Sequence, residues 1–100
     1  MVFEIVRGDY GRVYRGIIKG EDLSDCTAVI YVWDSNNNKV IDGKPCSVSY
    51  VPPDTYVEYT VEPGDFDVEP GIYYGLIKFM KEGVVERTLP FTWKVYRREP

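Results

Sequence analysis

Apolar residues recur at every second position in several short segments of the chain, which is the period of a β-strand and not of a helix. The pattern predicts strands over residues 2–6, 12–19, 26–33, 39–41, 46–51, 55–61, 72–80 and 84–96. Turn-forming pairs such as Gly8-Asp9 and Asp42-Gly43 separate these segments. Seven to eight short strands with such turns between them predict an all-β fold, and specifically an antiparallel β-sandwich.

Alternation also indicates which side of a strand faces the core. In residues 55–61 the apolar set is Val57, Tyr59 and Val61, so this set is expected to point inward. In residues 26–33 both alternating sets are apolar, so periodicity alone leaves the inward set of this strand open.

The length and composition indicate one globular domain. The chain has 100 residues, of which 44% are apolar and 28% are charged, and a domain of this size can bury a core without disulfides or metals. We expect one domain over residues 1–97 and a short C-terminal tail over residues 98–100. No apolar run has the length of a membrane helix, and the N-terminus lacks a signal-peptide segment. We therefore expect cytoplasmic synthesis and no membrane partner.

Charge and missing residue types narrow the possible chemistry. The net charge is −4 and the densest basic cluster, Lys94, Arg97 and Arg98, lies at the C-terminal end, so we expect no nucleic-acid partner. The chain has no histidine, which is the commonest general base and zinc ligand. The two cysteines, Cys26 and Cys46, are too few for a structural zinc site, and cytoplasmic synthesis favours free thiols over a disulfide.

The segment VEPGDFDVEPGIYYG, residues 61–75, concentrates acidic residues. They are Glu62, Asp65, Asp67 and Glu69. A calcium loop of the D-x-D-x-D-G type does not fit, because the glycine comes one place late and Leu76 stands where the bidentate glutamate belongs. A catalytic pair needs two carboxylates in different environments, whereas acids in a turn-rich segment are expected to be solvated and alike. We therefore predict no catalytic, cofactor-binding or metal-binding residues, and a protein that is not an enzyme.

The end of this segment resembles the tyrosine corner of immunoglobulin-like sandwiches. Glu69, Gly71 and Tyr73 match its acid-x-Gly-x-Tyr pattern, with Gly75 in place of the usual cysteine. The resemblance implies that Tyr73 buries its ring and donates its hydroxyl to an upstream backbone group. The two copies of VEPG are then the exit from one strand and the entry to the next.

The order of several short motifs resembles the N-terminal domain of phage baseplate upper proteins. The motifs are Gly8-Asp9, Asp22-Leu23-Ser24, Val57-x-Tyr59, Gly64-Asp65, Pro70-Gly71-x-Tyr73 and Thr88-x-Pro90, and they extend over nearly the whole chain. The resemblance implies an immunoglobulin-like sandwich without catalytic residues, located in the tail or baseplate of a tailed virus. The implied partners are other virion or tail proteins, further copies of the chain, or both.

The same resemblance implies the phase of residues 26–33. The inward set is Cys26, Ala28, Ile30 and Val32, which leaves Val29, Tyr31 and Trp33 on the outer surface. Alternation with Val48 and Tyr50 points Cys46 inward as well, so both cysteines are predicted to be buried thiols. A monomer seldom leaves such an apolar patch open, so we predict that these three residues form a protein interface. Two alternatives are the inverted phase, with both aromatic rings in the core, and a carbohydrate-binding groove lined by Tyr31, Trp33 and Asp34.

Overall fold

The computed structural model describes residues 1–99, which contain seven strands and no helix. The strands are β1 (Val2–Val6), β2 (Val13–Ile18), β3 (Thr27–Trp33), β4 (Lys39–Val51), β5 (Asp54–Thr60), β6 (Gly71–Lys81) and β7 (Val84–Tyr96). The all-β prediction is confirmed. Within residues 1–99 no helical segment has the length and hydropathy to cross a membrane.

The seven strands form one continuous sheet in the order β1-β7-β6-β3-β4-β5-β2. The sheet is mixed, because β1 pairs with β7 in parallel while the other pairs are antiparallel. The prediction of an antiparallel arrangement is therefore wrong for β1. The two edge strands approach each other, and the Tyr14 hydroxyl of β2 donates to the Glu4 carbonyl of β1 at 2.5 Å. The sheet is thus nearly closed into a barrel.

The predicted segments 39–41 and 46–51 are a single strand, β4. Its first part pairs with β3 and its second part pairs with β5, so β4 joins the two halves of the sheet. Asp42-Gly43 was expected to end a strand, but Gly43 lies inside β4 at a φ of 76° where the register against β3 shifts. A glycine with positive φ suits a β-bulge as well as a turn, and here it allows β4 to continue.

The core lies between the two halves of the sheet. Ala28, Ile30 and Val32 are buried, as are Val57, Tyr59 and Val61, so the inward sets predicted for β3 and β5 are confirmed. The inverted phase of β3 is wrong. At the centre, the fully buried Trp93 packs its ring against four other rings, those of Phe3, Tyr14, Phe66 and Phe91.

Pro90 lies inside β7, although a proline within a sheet is normally confined to a strand edge or a bulge. It pairs with Leu76 of β6, and the irregularity between β6 and β7 occurs elsewhere, at Phe79/Met80. The amide of Thr92, two residues later, donates to the Met1 carbonyl, so this side of β7 faces away from β6. The Pro90 nitrogen points to the same side of β7. At this position β7 extends beyond the start of β1, so no paired strand lies there and the missing N–H removes no hydrogen bond from the sheet.

The C-terminal residues are held against the start of the chain. The Arg98 guanidinium donates to the Arg7 carbonyl at 3.0 Å and pairs with the Asp9 carboxylate. Pro100, the last residue of the predicted tail, lies outside the described residues.

Candidate protein-interaction face

The outward side chains of β3 are those proposed from the sequence as an interface. Val29, Tyr31 and Trp33 alternate with the buried set and are each partly exposed. The strand forms because β-branched and aromatic side chains fit a pleated surface. With one face of β3 in the core, these three side chains point to the opposite face of the sheet.

The neighbouring strand β6 extends this surface. Tyr74 pairs with Trp33, and Leu76 pairs with Tyr31, so these side chains lie side by side on the same face. Tyr74 is 53% exposed and Ile72, two residues before it, is 45% exposed. We call these six side chains, Val29, Tyr31, Trp33, Ile72, Tyr74 and Leu76, the outer face.

Sequence reasoning missed the three residues that β6 contributes. The signal was present in the tyrosine-corner pattern, because an inward Tyr73 forces Ile72 and Tyr74 outward in an extended strand. What the sequence did not provide is the adjacency of β6 and β3, which are separated along the chain by β4 and β5.

Two rings of the outer face are stacked along β3. The centroids of Tyr31 and Trp33 are 5.8 Å apart and the ring planes are inclined by 14°. Gly43 lies against the Tyr31 ring, and a Cβ at this position would be 3.4 Å from the ring and hydroxyl atoms. The ammonium groups of Lys78 and Lys39 lie 5.1 and 5.9 Å from the Tyr31 ring centroid. The outer face is therefore apolar at its centre, and two ammonium groups lie at its margin.

The predicted tyrosine corner has the geometry that the resemblance implies. The Tyr73 hydroxyl donates to the Glu69 carbonyl at 2.5 Å, and the ring is buried. Gly71 begins β6 between these two residues. Burial raises the pKa of Tyr73 above its ordinary value. Gly75, two residues on, lies so close to Phe91 that a Cβ would be 2.7 Å from its ring.

The acidic segment is not uniform, so the expectation that its four acids are alike is wrong. Asp65 is buried, and its carboxylate accepts hydrogen bonds from the Tyr59 hydroxyl, the Glu62 amide at 2.8 Å and the Lys44 ammonium at 2.5 Å. Burial raises the pKa of Tyr59, and the bond to Asp65 raises it further. Through these bonds the carboxylate connects the loop after β5 to both β4 and β5.

The other acids of the segment lie on the surface. Arg7 pairs with Asp67 at 3.3 Å and with Glu69 at 3.6 Å, and Glu62 shares Lys44 at 2.7 Å. Among residues 1–99, no three or more cysteine or acidic side chains are grouped so that they could hold a metal ion.

Asp34, the acid of the carbohydrate alternative, is occupied within its own loop. Its carboxylate accepts from the amides of Asn36 at 2.8 Å and Asn38 at 2.9 Å, and from the Asn38 side chain at 3.0 Å. The bonds from Asn38 hold the pKa of Asp34 below its ordinary value. The carboxylate therefore supports the turn between β3 and β4.

Both cysteines are free thiols. Cys26 is buried, whereas Cys46 is only partly buried and packs against the core. The predicted burial is therefore confirmed in full only for Cys26. Burial raises the pKa of Cys46 to about 12.

Comparison with known proteins gives distant structural likenesses. No family model matches the chain, and no curated protein matches it. The NK cell receptor Nkp44, a triggering partner in natural cytotoxicity, has a TM-score of 0.40 at 11% identity over 95% of this chain and 98% of that one. The CupB6 tip adhesin from Pseudomonas aeruginosa has a TM-score of 0.36 at 10% identity over 99% of this chain, which spans 42% of the adhesin chain. Both TM-scores are below 0.5, so neither structure assigns a family or a function.

Proposed function

We propose that this chain is a non-enzymatic structural or docking module in the tail or baseplate of a tailed virus. It is made in the cytoplasm and acts in the virion through contacts of its outer face with other virion proteins or with further copies of itself. The observation that carries the proposal is the continuous apolar surface of β3 and β6, with Tyr74 and Ile72 about half exposed. Tyrosine and tryptophan are enriched in protein interfaces, where they bury a large area at a small entropic cost.

The proposal includes an immunoglobulin-like sandwich as the finer description of the fold. Its support is the change of partner within β4, which pairs with β3 up to Cys46 and with β5 from Ser47. The strands thereby fall into two groups with the core between them. The contact of Tyr73 with the Glu69 carbonyl is a second feature of such sandwiches.

The experiment is to look for the chain in virus particles purified from a culture that carries its gene. Mass spectrometry should detect the chain in the particles at a constant ratio to other tail proteins. Trp33→Ala should leave the chain folded but reduce its incorporation, whereas Tyr56→Ala, on β5 outside the outer face, should not. Absence of the wild-type chain from particles would reject the virion role.

A carbohydrate-binding module is the second candidate, favoured by one observation. The rings of Tyr31 and Trp33 are nearly parallel and partly exposed, and exposed aromatic rings are surfaces against which a sugar ring can stack. Thermal unfolding with a panel of glycans separates the two functions, because a ligand that binds only the folded state raises the midpoint. A raised midpoint that Trp33→Ala abolishes would favour the carbohydrate function, and no shift with any glycan would favour the docking function.

A further inference from the structure

We propose that the outer face pairs with the outer face of a second copy of this chain around a two-fold axis that crosses the strands. This inference rests on the proposed docking function and names its partner. Two neighbouring cross-strand rows of the sheet present their side chains in an order that fits such a pairing.

The first row contains Tyr74, Trp33 and Lys39, which lie on β6, β3 and β4 in that order. The second row contains Leu76, Tyr31 and Asp42 in the same order; it lies two residues further along β6 and β3 and, because of a register shift, three residues further along β4. Each row therefore ends in a charge at β4, and the two charges are opposite. The Lys39 ammonium bonds Asp42 at 3.1 Å and lies over the Tyr31 ring, which places both charges on the outer side.

A two-fold axis running between these rows, across the strands, brings the first row of one copy over the second row of the other. Tyr74 then lies over Leu76 and Trp33 lies over Tyr31 of the second copy. At the margin, Lys39 of each copy faces Asp42 of the other. The face is thus self-complementary in both charge and apolar character, which an isologous interface requires.

The dimensions of the sheet indicate the strength of this contact. The paired rows lie on three neighbouring strands, β6, β3 and β4. At about 4.8 Å between strands and about 3.3 Å per residue, four rows over these strands cover roughly 380 Å² per copy. A standard stable interface buries about 800 Å² per partner. The dimer is therefore expected to be reversible and to depend on protein concentration.

The test uses one charge change in each of two variants. Lys39→Asp leaves two acids at the margin and Asp42→Lys leaves two lysines, so each variant repels its own copy across the axis. In a mixture, every charge of one variant faces an opposite charge of the other. Sedimentation velocity over a range of concentrations should show a wild-type dimer, self-association weakened at least about tenfold in each variant, and recovery of the dimer on mixing.

Glu58→Lys is the matched control, because Glu58 pairs with Arg15 on β5 and β2, outside the outer face. This control should dimerise like the wild type, and unfolding midpoints should show that all three variants are folded. A wild type that is monomeric at every concentration would overturn the inference, as would variants that dimerise normally or fail to recover on mixing. A monomeric wild type that still enters virus particles would reject the second copy alone, whereas absence from particles would reject the proposed function.

Discussion

Replacing Asp65 by alanine tests whether the acidic segment is held by one buried carboxylate. The change leaves the buried Tyr59 hydroxyl and the Glu62 amide without their acceptor. Each unsatisfied group costs about 1–2 kcal/mol, so the free energy of unfolding should fall by about 2–4 kcal/mol. Lys44 adds little, because its side chain is 37% exposed and keeps its contact with Glu62 at 2.7 Å.

Urea unfolding followed by tryptophan fluorescence measures this loss. Asp67→Ala is the matched control, since Asp67 lies in the same segment but its side chain is 70% exposed, and its replacement should change stability by less than about 0.5 kcal/mol. Tyr59→Phe should also lower the free energy of unfolding less in the Asp65→Ala background than in the wild type, because the Tyr59 hydroxyl and the Asp65 carboxylate share one hydrogen bond. Equal losses for Asp65→Ala and Asp67→Ala would refute the assignment of Asp65 as the structural carboxylate.

Three further predictions concern other parts of the fold. Tyr73→Phe should lower the free energy of unfolding by about 1–2 kcal/mol in urea, and an unchanged midpoint would reject the tyrosine corner. Gly75→Ala should lower the free energy of unfolding by about 1–3 kcal/mol, because the new Cβ would meet the Phe91 ring and the Tyr31 carbonyl. Gly16→Ala should lower it less, because its Cβ meets the movable end of the Leu89 side chain. Equal losses for the two variants would contradict this explanation. The pKa of Cys46 is raised from about 9 to about 12, so the unfolded thiol ionises first and its contribution to stability should be complete below pH 9 and lost towards pH 12. Cys46→Ala should reduce the fall in stability over this range, and an identical pH profile would count against burial of the thiol.

The positions of most strands could be predicted from local alternation and from the turn residues between them, but the joining of residues 39–41 and 46–51 into β4 could not. The inward set of β5 was equally readable, since only one side of that strand is apolar. The phase of β3 was not fixed by its own residues, both of whose sides are apolar, and followed only from a resemblance. The structure decides it by placing Ile30 and Val32 in the core.

Other features depend on contacts between distant residues, which local pattern does not report. Asp65 resembles its acidic neighbours in the sequence, and only the approach of Tyr59 and Lys44 distinguishes it. The parallel pairing of β1 with β7 joins the two ends of the chain, and the outer face depends on the adjacency of β3 and β6. These arrangements follow from the topology and not from the spacing of residues along the chain.

The measurement that tests the central claim most directly is the effect of Trp33→Ala on stability and on association in the same preparation. Trp33 is partly exposed on the outer face, whereas Trp93 is fully buried, and loss of a core tryptophan costs about 3–5 kcal/mol. We predict that Trp33→Ala keeps most of the wild-type free energy of unfolding, weakens dimerisation in sedimentation and reduces incorporation into virus particles. A loss of stability as large as that of a core tryptophan, with both kinds of association unchanged, would contradict the outer face as a docking surface.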